Sequence, residues 1–237
     1  MIRRHNNSAI FIHWFNAICW IFLLLSGFAL LANPEAQPIG EWWVGLWQGF
    51  ISAHALLMLH IFVGAVWICC FVIWLAFFWR RDAWPFIRQV TSFKPASDGE
   101  WCAKKGLWLV CGPLAMRKMG ISPSLPPQGF YNAGQRLVAV LAIISGIILA
   151  VTGIIMTFGG SMGASTGLLQ WCIILHFVSA AVMAIFLLIH IYMAALAPGE
   201  GPAFLSMFTG YVPKDFARHH NPLWRFDADK DSTTGSS

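Results

Sequence analysis

Four long stretches of the chain contain no Asp, Glu, Lys or Arg: residues 8–31, 50–79, 137–158 and 168–197. Each exceeds the roughly 20 apolar residues that a helix needs to cross about 30 Å of hydrocarbon. In lipid the backbone must satisfy its own hydrogen bonds, so stretches of this kind are helical. Only 11% of the 237 residues are charged, against about 25% in an ordinary soluble domain. A soluble enzyme and a nucleic-acid-binding domain are thereby excluded. The pattern predicts an all-α membrane protein, a single domain over residues 1–226 built on four transmembrane helices. The first stretch is not a cleaved signal: its apolar run is too long, and no small-x-small site closes it before Pro34. The tail at 227–237, acidic and then small and polar, reads as disordered.

The positive residues orient the spans. All 15 Lys and Arg fall before span 1, between spans 2 and 3, or after span 4. The segments 32–49 and 159–167 have none. Cytoplasmic loops carry the excess of Lys and Arg, which predicts both termini and the long 80–136 loop on the cytoplasmic side. The net charge of +5 then needs no nucleic-acid partner. The outer segment 32–49 holds Trp42, Trp43 and Trp47, and Trp favours the membrane–water boundary. It lies along the outer surface or covers a partner subunit. The apolar piece Gly106–Leu114 within the inner loop is too short to span.

Cysteines indicate little. Cys19, Cys69, Cys70 and Cys172 lie in spans as small hydrophobes. No C-x-x-C-H occurs, so no covalent c-type haem is expected, and the cysteines are too dispersed for an iron–sulfur cluster.

The spans hold five histidines as their only ionisable side chains of the usual charged set: His13, His54, His60, His176 and His190. One such histidine is explained by a hydrogen bond to a neighbouring helix. Five without a carboxylate call for another role, because intramembrane ionisable groups are costly. Neutral imidazole is a good axial ligand for haem iron. His176 and His190 are fourteen residues apart, which returns them to within about 40° of one helix face and separates them by ~21 Å along the axis. That separation suits two b-type haems stacked across the bilayer. Counting from the charged ends places His13 near the inner surface with His190. It places His60 rather than His54 at the depth of His176, the two candidates differing by about 9 Å of helix rise. His54 then sits at the outer interface. The rival class is a transporter-like protein whose histidines relay protons. His5, His219 and His220 lie outside the spans and read as solvated.

Short motifs then carry a resemblance. These are I-H-W at 12–14, L-H-I-F-V-G at 59–64, Y-N-A-G-Q-R at 131–136, I-L-H at 174–176, L-I-H-I-Y-M-A at 188–194 and R-H-H-N-P-L-W at 218–224. In this order they resemble the cytochrome b (gamma) subunit of membrane-bound respiratory formate dehydrogenase. The segment between Asp82 and Gln128 departs from that pattern, being longer and carrying its own apolar patch.

The resemblance implies a four-helix bundle with two haem b groups, the inner on His13 and His190 and the outer on His60 and His176. It implies an outward-facing molybdenum or tungsten catalytic subunit and an iron–sulfur subunit as partners, in a bacterial cytoplasmic (inner) membrane. Electrons from formate would cross to a quinone, menaquinone or ubiquinone, near the inner side. The formate chemistry itself would lie in another chain. Related cytochromes serve hydrogenases and thiosulfate reductases, so the alternative for this chain is the cytochrome b subunit of such a quinone-linked oxidoreductase, including one run in the quinol-oxidising direction. Taken alone, Asn132 is an N-cap and Arg136 a headgroup residue. The resemblance implies instead that Asn132, Gly134, Gln135 and His190 border the quinone, with Arg136 balancing a haem propionate.

Overall fold

A computed structural model describes residues 1–31 and 33–226. The acidic tail at 227–237 lies outside the described residues. In chain order the elements are β1 (Ile2–Arg3), α1 (Asn7–Ala29), α2 (Glu41–Gln48), α3 (Ala53–Phe78), α4 (Trp84–Val90), α5 (Pro95–Lys118), α6 (Ala133–Phe158), α7 (Thr166–Ile191), α8 (Gly201–Thr209), β2 (Tyr211–Val212) and α9 (Lys214–His220). Four helices are long and apolar enough to cross a membrane: α1, α3 with its continuation to Val90, α6, and α7 with its continuation to Leu196.

The helix ends differ from the uncharged windows because caps, not charges, set them. Ser52 Oγ accepts from Ala55 N at 3.2 Å and starts α3. Ser165 Oγ accepts from Leu168 N at 3.2 Å and starts α7. Asn132 caps α6, so that helix begins before Arg136 rather than after it. Beyond α3 and α7 the chain widens into π-turns at Trp79–Ala83 and Tyr192–Leu196. The inner segment 80–136 is therefore not all loop, since α4 and α5 occupy much of it.

The chain forms two compact units. The membrane unit comprises 8–79 and 143–188. Its surface is apolar: Ile18, Phe62, Phe77 and Leu188 are all exposed. Its buried positions include small polar residues, among them Ser26, Ser145, Thr152 and Ser179. This inversion of the soluble pattern suits lipid, where apolar side chains need no burial and polar ones need partners. Two tryptophans tie helices by single hydrogen bonds: Trp67 Nε1 donates to Asn16 Oδ1 at 2.6 Å, and Trp74 Nε1 to Ser8 Oγ at 2.8 Å. Gly146 admits the rings of Trp20 and Trp67 against the α6 backbone.

The polar unit comprises, among the described residues, 1–7, 80–142 and 189–226. β1 and β2 pair antiparallel, with Ile2 opposite Val212. Ile2, Val212 and Ala217 form a small core under Phe216, Trp224 and Phe226. Arg4 stands at its edge, donating to Asn221 Oδ1 at 3.1 Å and to Phe130 O at 2.9 Å. Its guanidinium lies 4.9 Å from the Phe130 ring centre. Burial lowers the pKa of Arg4 and pushes the Tyr131 phenol up to about 12.

Candidate metal centre

Within the membrane unit, α3 and α7 bring His60 and His176 together, ring centres 6.5 Å apart. A hydroxyl orients each ring. Ser26 Oγ lies 2.9 Å from His60 Nδ1, and Thr152 Oγ1 lies 2.9 Å from His176 Nδ1. A hydroxyl has one proton to donate. Ser26 donates it to Phe22 O at 2.8 Å, and Thr152 to Ile148 O at 2.6 Å. With that proton on the carbonyl, each hydroxyl accepts from its histidine, which assigns the imidazole proton to Nδ1. That tautomer leaves the Nε2 lone pair without a partner among the described residues.

The support is repeated in sequence. Gly27 follows Ser26 and Gly153 follows Thr152. A methyl on Gly27 would stand 3.3 Å from His60 Cε1, and one on Gly153 would stand 3.6 Å from His176 Cε1. Two helices thus each present a hydroxyl–glycine pair that holds one imidazole against a bare stretch of backbone. Nothing in the local sequence singles out Ser26 or Thr152. The signal that marks them is the hydroxyl–glycine dipeptide in a span that faces a histidine span.

The donor set fits a haem. Two neutral imidazoles on opposite sides of one metal, with bonds of about 2 Å, have ring centres roughly 6 Å apart, close to the observed spacing. Hydrogen bonds to the non-ligating nitrogen are the usual means of fixing such rings. His54 lies on the exposed first turn of α3. His13 is half-buried on α1 in the membrane unit, edge-on to Trp14 at 5.4 Å. His190 is half-buried at the end of α7 in the polar unit, immediately before the π-turn. Single-turn π insertions are frequent at functional sites.

In the polar unit, the head of α6 forms a reciprocal cap. Gln135 N donates to Asn132 Oδ1 at 2.9 Å, and Asn132 N donates to Gln135 Oε1 at 3.0 Å. Both amide oxygens are engaged, leaving the NH2 groups as the donors these side chains can offer a ligand. Gly134 lies beneath Trp101 of α5, where a methyl would stand 3.0 Å from Trp101 Cζ3. Arg136 donates through Nη2 to Asp98 Oδ1 at 2.6 Å and Gln128 Oε1 at 3.1 Å, and through Nη1 to Ser92 O at 2.9 Å. Its Nε is buried with no acceptor. Beside these residues opens a polar cavity of about 290 Å³, lined in part by Lys94, Asp98, Gln128, Tyr131 and Arg136.

Comparison with known proteins gives the chain a family. The sequence profile of the prokaryotic cytochrome b561 family matches residues 4–210. The chain is similar to the formate dehydrogenase cytochrome b556(fdo) subunit of Escherichia coli (strain K12), 27% identical over 213 residues, which cover 90% of this chain and 86% of that one. It is also similar to the formate dehydrogenase cytochrome b556 subunit of Haemophilus influenzae, 25% identical over 224 residues, covering 94% and 82%. These relatives bear the name that the ordered histidine motifs resemble.

Proposed function

The chain belongs to the prokaryotic cytochrome b561 family, and from that premise we propose that it is the di-haem cytochrome b subunit of a formate dehydrogenase, carrying electrons across the bacterial inner membrane to a quinone. The observation that carries this reading is the pair His60 and His176, ring centres 6.5 Å apart, each turned by a hydroxyl so that Nε2 is free. These two hold the outer haem, and His13 and His190 hold the inner one. Haem supplies one-electron transfer without a change in net protein charge at the ligands. The protein's part is to fix the rings, exclude water with an apolar surround and keep the second haem within reach.

The partners in this reading are an iron–sulfur subunit and a molybdenum or tungsten catalytic subunit on the outer face, with the chain's termini in the cytoplasm. The relatives' names support the complex. The formate chemistry belongs to the partner.

The quinone sits at the head of α6, bordered by Asn132, Gly134, Gln135 and His190. Asn132 Nδ2 and Gln135 Nε2 are donors suited to carbonyl oxygens, and the helix N-terminus favours negative charge developing there. The adjacent polar cavity supports a water supply for the protons that quinone reduction takes up. Arg136 has one donor, Nε, not already engaged among the described residues, and that donor is the one assigned to a haem propionate.

The test is the purified complex. A dithionite-reduced spectrum with b-type bands, and a haem assay giving two per chain, are expected. A chain that purifies folded without haem would overturn the reading in favour of a proton-relay protein.

A further inference from the structure

Helix α5 changes character along its length. Its first turns are fastened to the polar unit: Asp98 accepts from Lys94 N and from Arg136, and Trp101 covers Gly134. From Gly106 onward the helix leaves this support. Leu107, Leu109, Val110 and Leu114 are all exposed, Val110 at 88% and Leu114 at 73%. Leu107 and Leu109 are two positions apart, about 200° around the axis, so the apolar exposure is not confined to one stripe. Gly112 then takes φ 75 and breaks the helix before Pro113. Met116 returns to the protein interior, but the exposed apolar stretch before it, spread around the axis, requires a non-aqueous surround.

The charges beside this segment identify that surround. Lys105 precedes it, Arg117 and Lys118 follow it, and no Asp or Glu occurs between residues 101 and 199; Lys104 is already paired with Glu100 at 2.8 Å. The Lys105 ammonium lies 4.7 Å from the Trp108 ring centre, pairing a cation with the residue type that favours the membrane boundary. The ten residues 107–116 rise only ~15 Å, half of a hydrocarbon core, so they cannot span. A short apolar piece bracketed by cations matches one leaflet with anionic headgroups at its surface. A folded protein partner would instead need a single complementary face.

We propose that residues 105–118 are a lipid-docking segment, its exposed apolar residues dipping into the acyl region of the leaflet on the side of the chain's basic segments, with Lys105, Arg117 and Lys118 on anionic phospholipid headgroups. This rests on the reading that the four long helices cross a membrane, and is independent of whether the chain binds haem or reduces quinone.

Cys111 is exposed within the segment and gives the test. The full chain, with the other five cysteines replaced by serine and helicity unchanged by circular dichroism, is labelled there with an environment-sensitive fluorophore. It is placed in nanodiscs of equal parts phosphatidylcholine and phosphatidylglycerol. Spin-labelled lipid is expected to quench the label strongly, and aqueous iodide several-fold less than it quenches a label on exposed Ser122→Cys. Each cation near an anionic surface is worth about fivefold in surface binding. Replacing Lys105, Arg117 and Lys118 by glutamine is therefore expected to raise iodide access at least that much in the anionic discs. Unchanged access would overturn the headgroup contacts, and iodide quenching equal to that at residue 122 would overturn the docking. A second probe avoids the cysteine background: photoreactive benzoylphenylalanine at Val110 in the native complex. Cross-linking to phospholipid supports the proposal, whereas cross-linking to another polypeptide or to a second copy of the chain overturns it. Loss of the haem spectrum in the parent protein would refute the proposed function while leaving both of these readouts intact.

Discussion

The centre at His60 and His176 and the head of α6 both bury polar groups, but in opposite ways. In the membrane unit the Nδ1 of each histidine is bonded to one hydroxyl, and that hydroxyl shares its proton between two carbonyls of its own helix. At the head of α6 the groups are shared: Arg136 reaches Asp98, Gln128 and Ser92, while Asn132 and Gln135 bond each other twice. The Asp98–Arg136 pair is nearly closed to water, with side chains 2% and 11% exposed. In an apolar surround a polar group without its partner bears the full desolvation cost. Removing one hydroxyl should therefore act on one ring alone, and the shared network should lose function in steps.

The largest effect expected is at the ligands. Replacing His60 or His176 by Ala should remove one haem of two and leave the other, read by haem content per chain and the reduced spectrum. His54→Ala should leave both, since that residue lies on the exposed turn of α3. If His54→Ala loses a haem and His60→Ala does not, the contrast between the two regions is drawn around the wrong ligand.

Next in size is Asn132→Ala. Both haems should remain and still be reduced from the partner subunit, while quinone reduction slows. One hydrogen bond to developing charge is worth about 1.5–3 kcal/mol, a factor of roughly 10–100. Unchanged quinone turnover would move the site away from the head of α6.

Ser26→Ala and Thr152→Val follow. Each leaves a buried Nδ1–H without an acceptor and frees a ring to turn. Haem should still bind, but about tenfold or more weakly, with a shifted midpoint potential, as partners to the non-ligating nitrogen typically cost on removal. If both variants keep the parent potential and affinity, the picture of one hydroxyl holding each ring is wrong.

The facing pair His60 and His176 was legible in the sequence for a plain reason. In spans without carboxylates, lysine or arginine, histidine stands out, and the fourteen-residue spacing on one helix separates two depths. The supporting hydroxyls were not. Ser and Thr in membrane helices commonly bond their own backbone carbonyls, as Ser26 and Thr152 do here. That they also face a histidine depends on which helices are neighbours, which no local pattern states. The Asp98–Arg136 pair joins positions 38 apart through the inner segment. Helix α5 was hidden because Gly112 and Pro113 interrupt its period, leaving only its apolar patch visible. The Asn132 cap was visible as a cap, since Asn followed three residues later by Gln is a local signature.

The smallest expected effect separates the two glycines. At Gly27 a new methyl would stand 3.3 Å from His60 Cε1, tighter than ordinary van der Waals contact, while at Gly153 it would stand 3.6 Å from His176 Cε1, within it. The imidazole of His60 has little freedom to yield, because Ser26 holds its Nδ1 from the adjacent position on the same helix. Gly27→Ala should therefore push the ring against that bond and cost on the order of 1 kcal/mol, the lower end of overpacking in a close-packed site. Gly153→Ala should cost a few tenths at most, offset by the better helix propensity of Ala. Haem retention on mild detergent heating and the width of the reduced band would measure both. A ranking with Gly153→Ala the more damaging would mean that the His176 side is the tighter half of the centre.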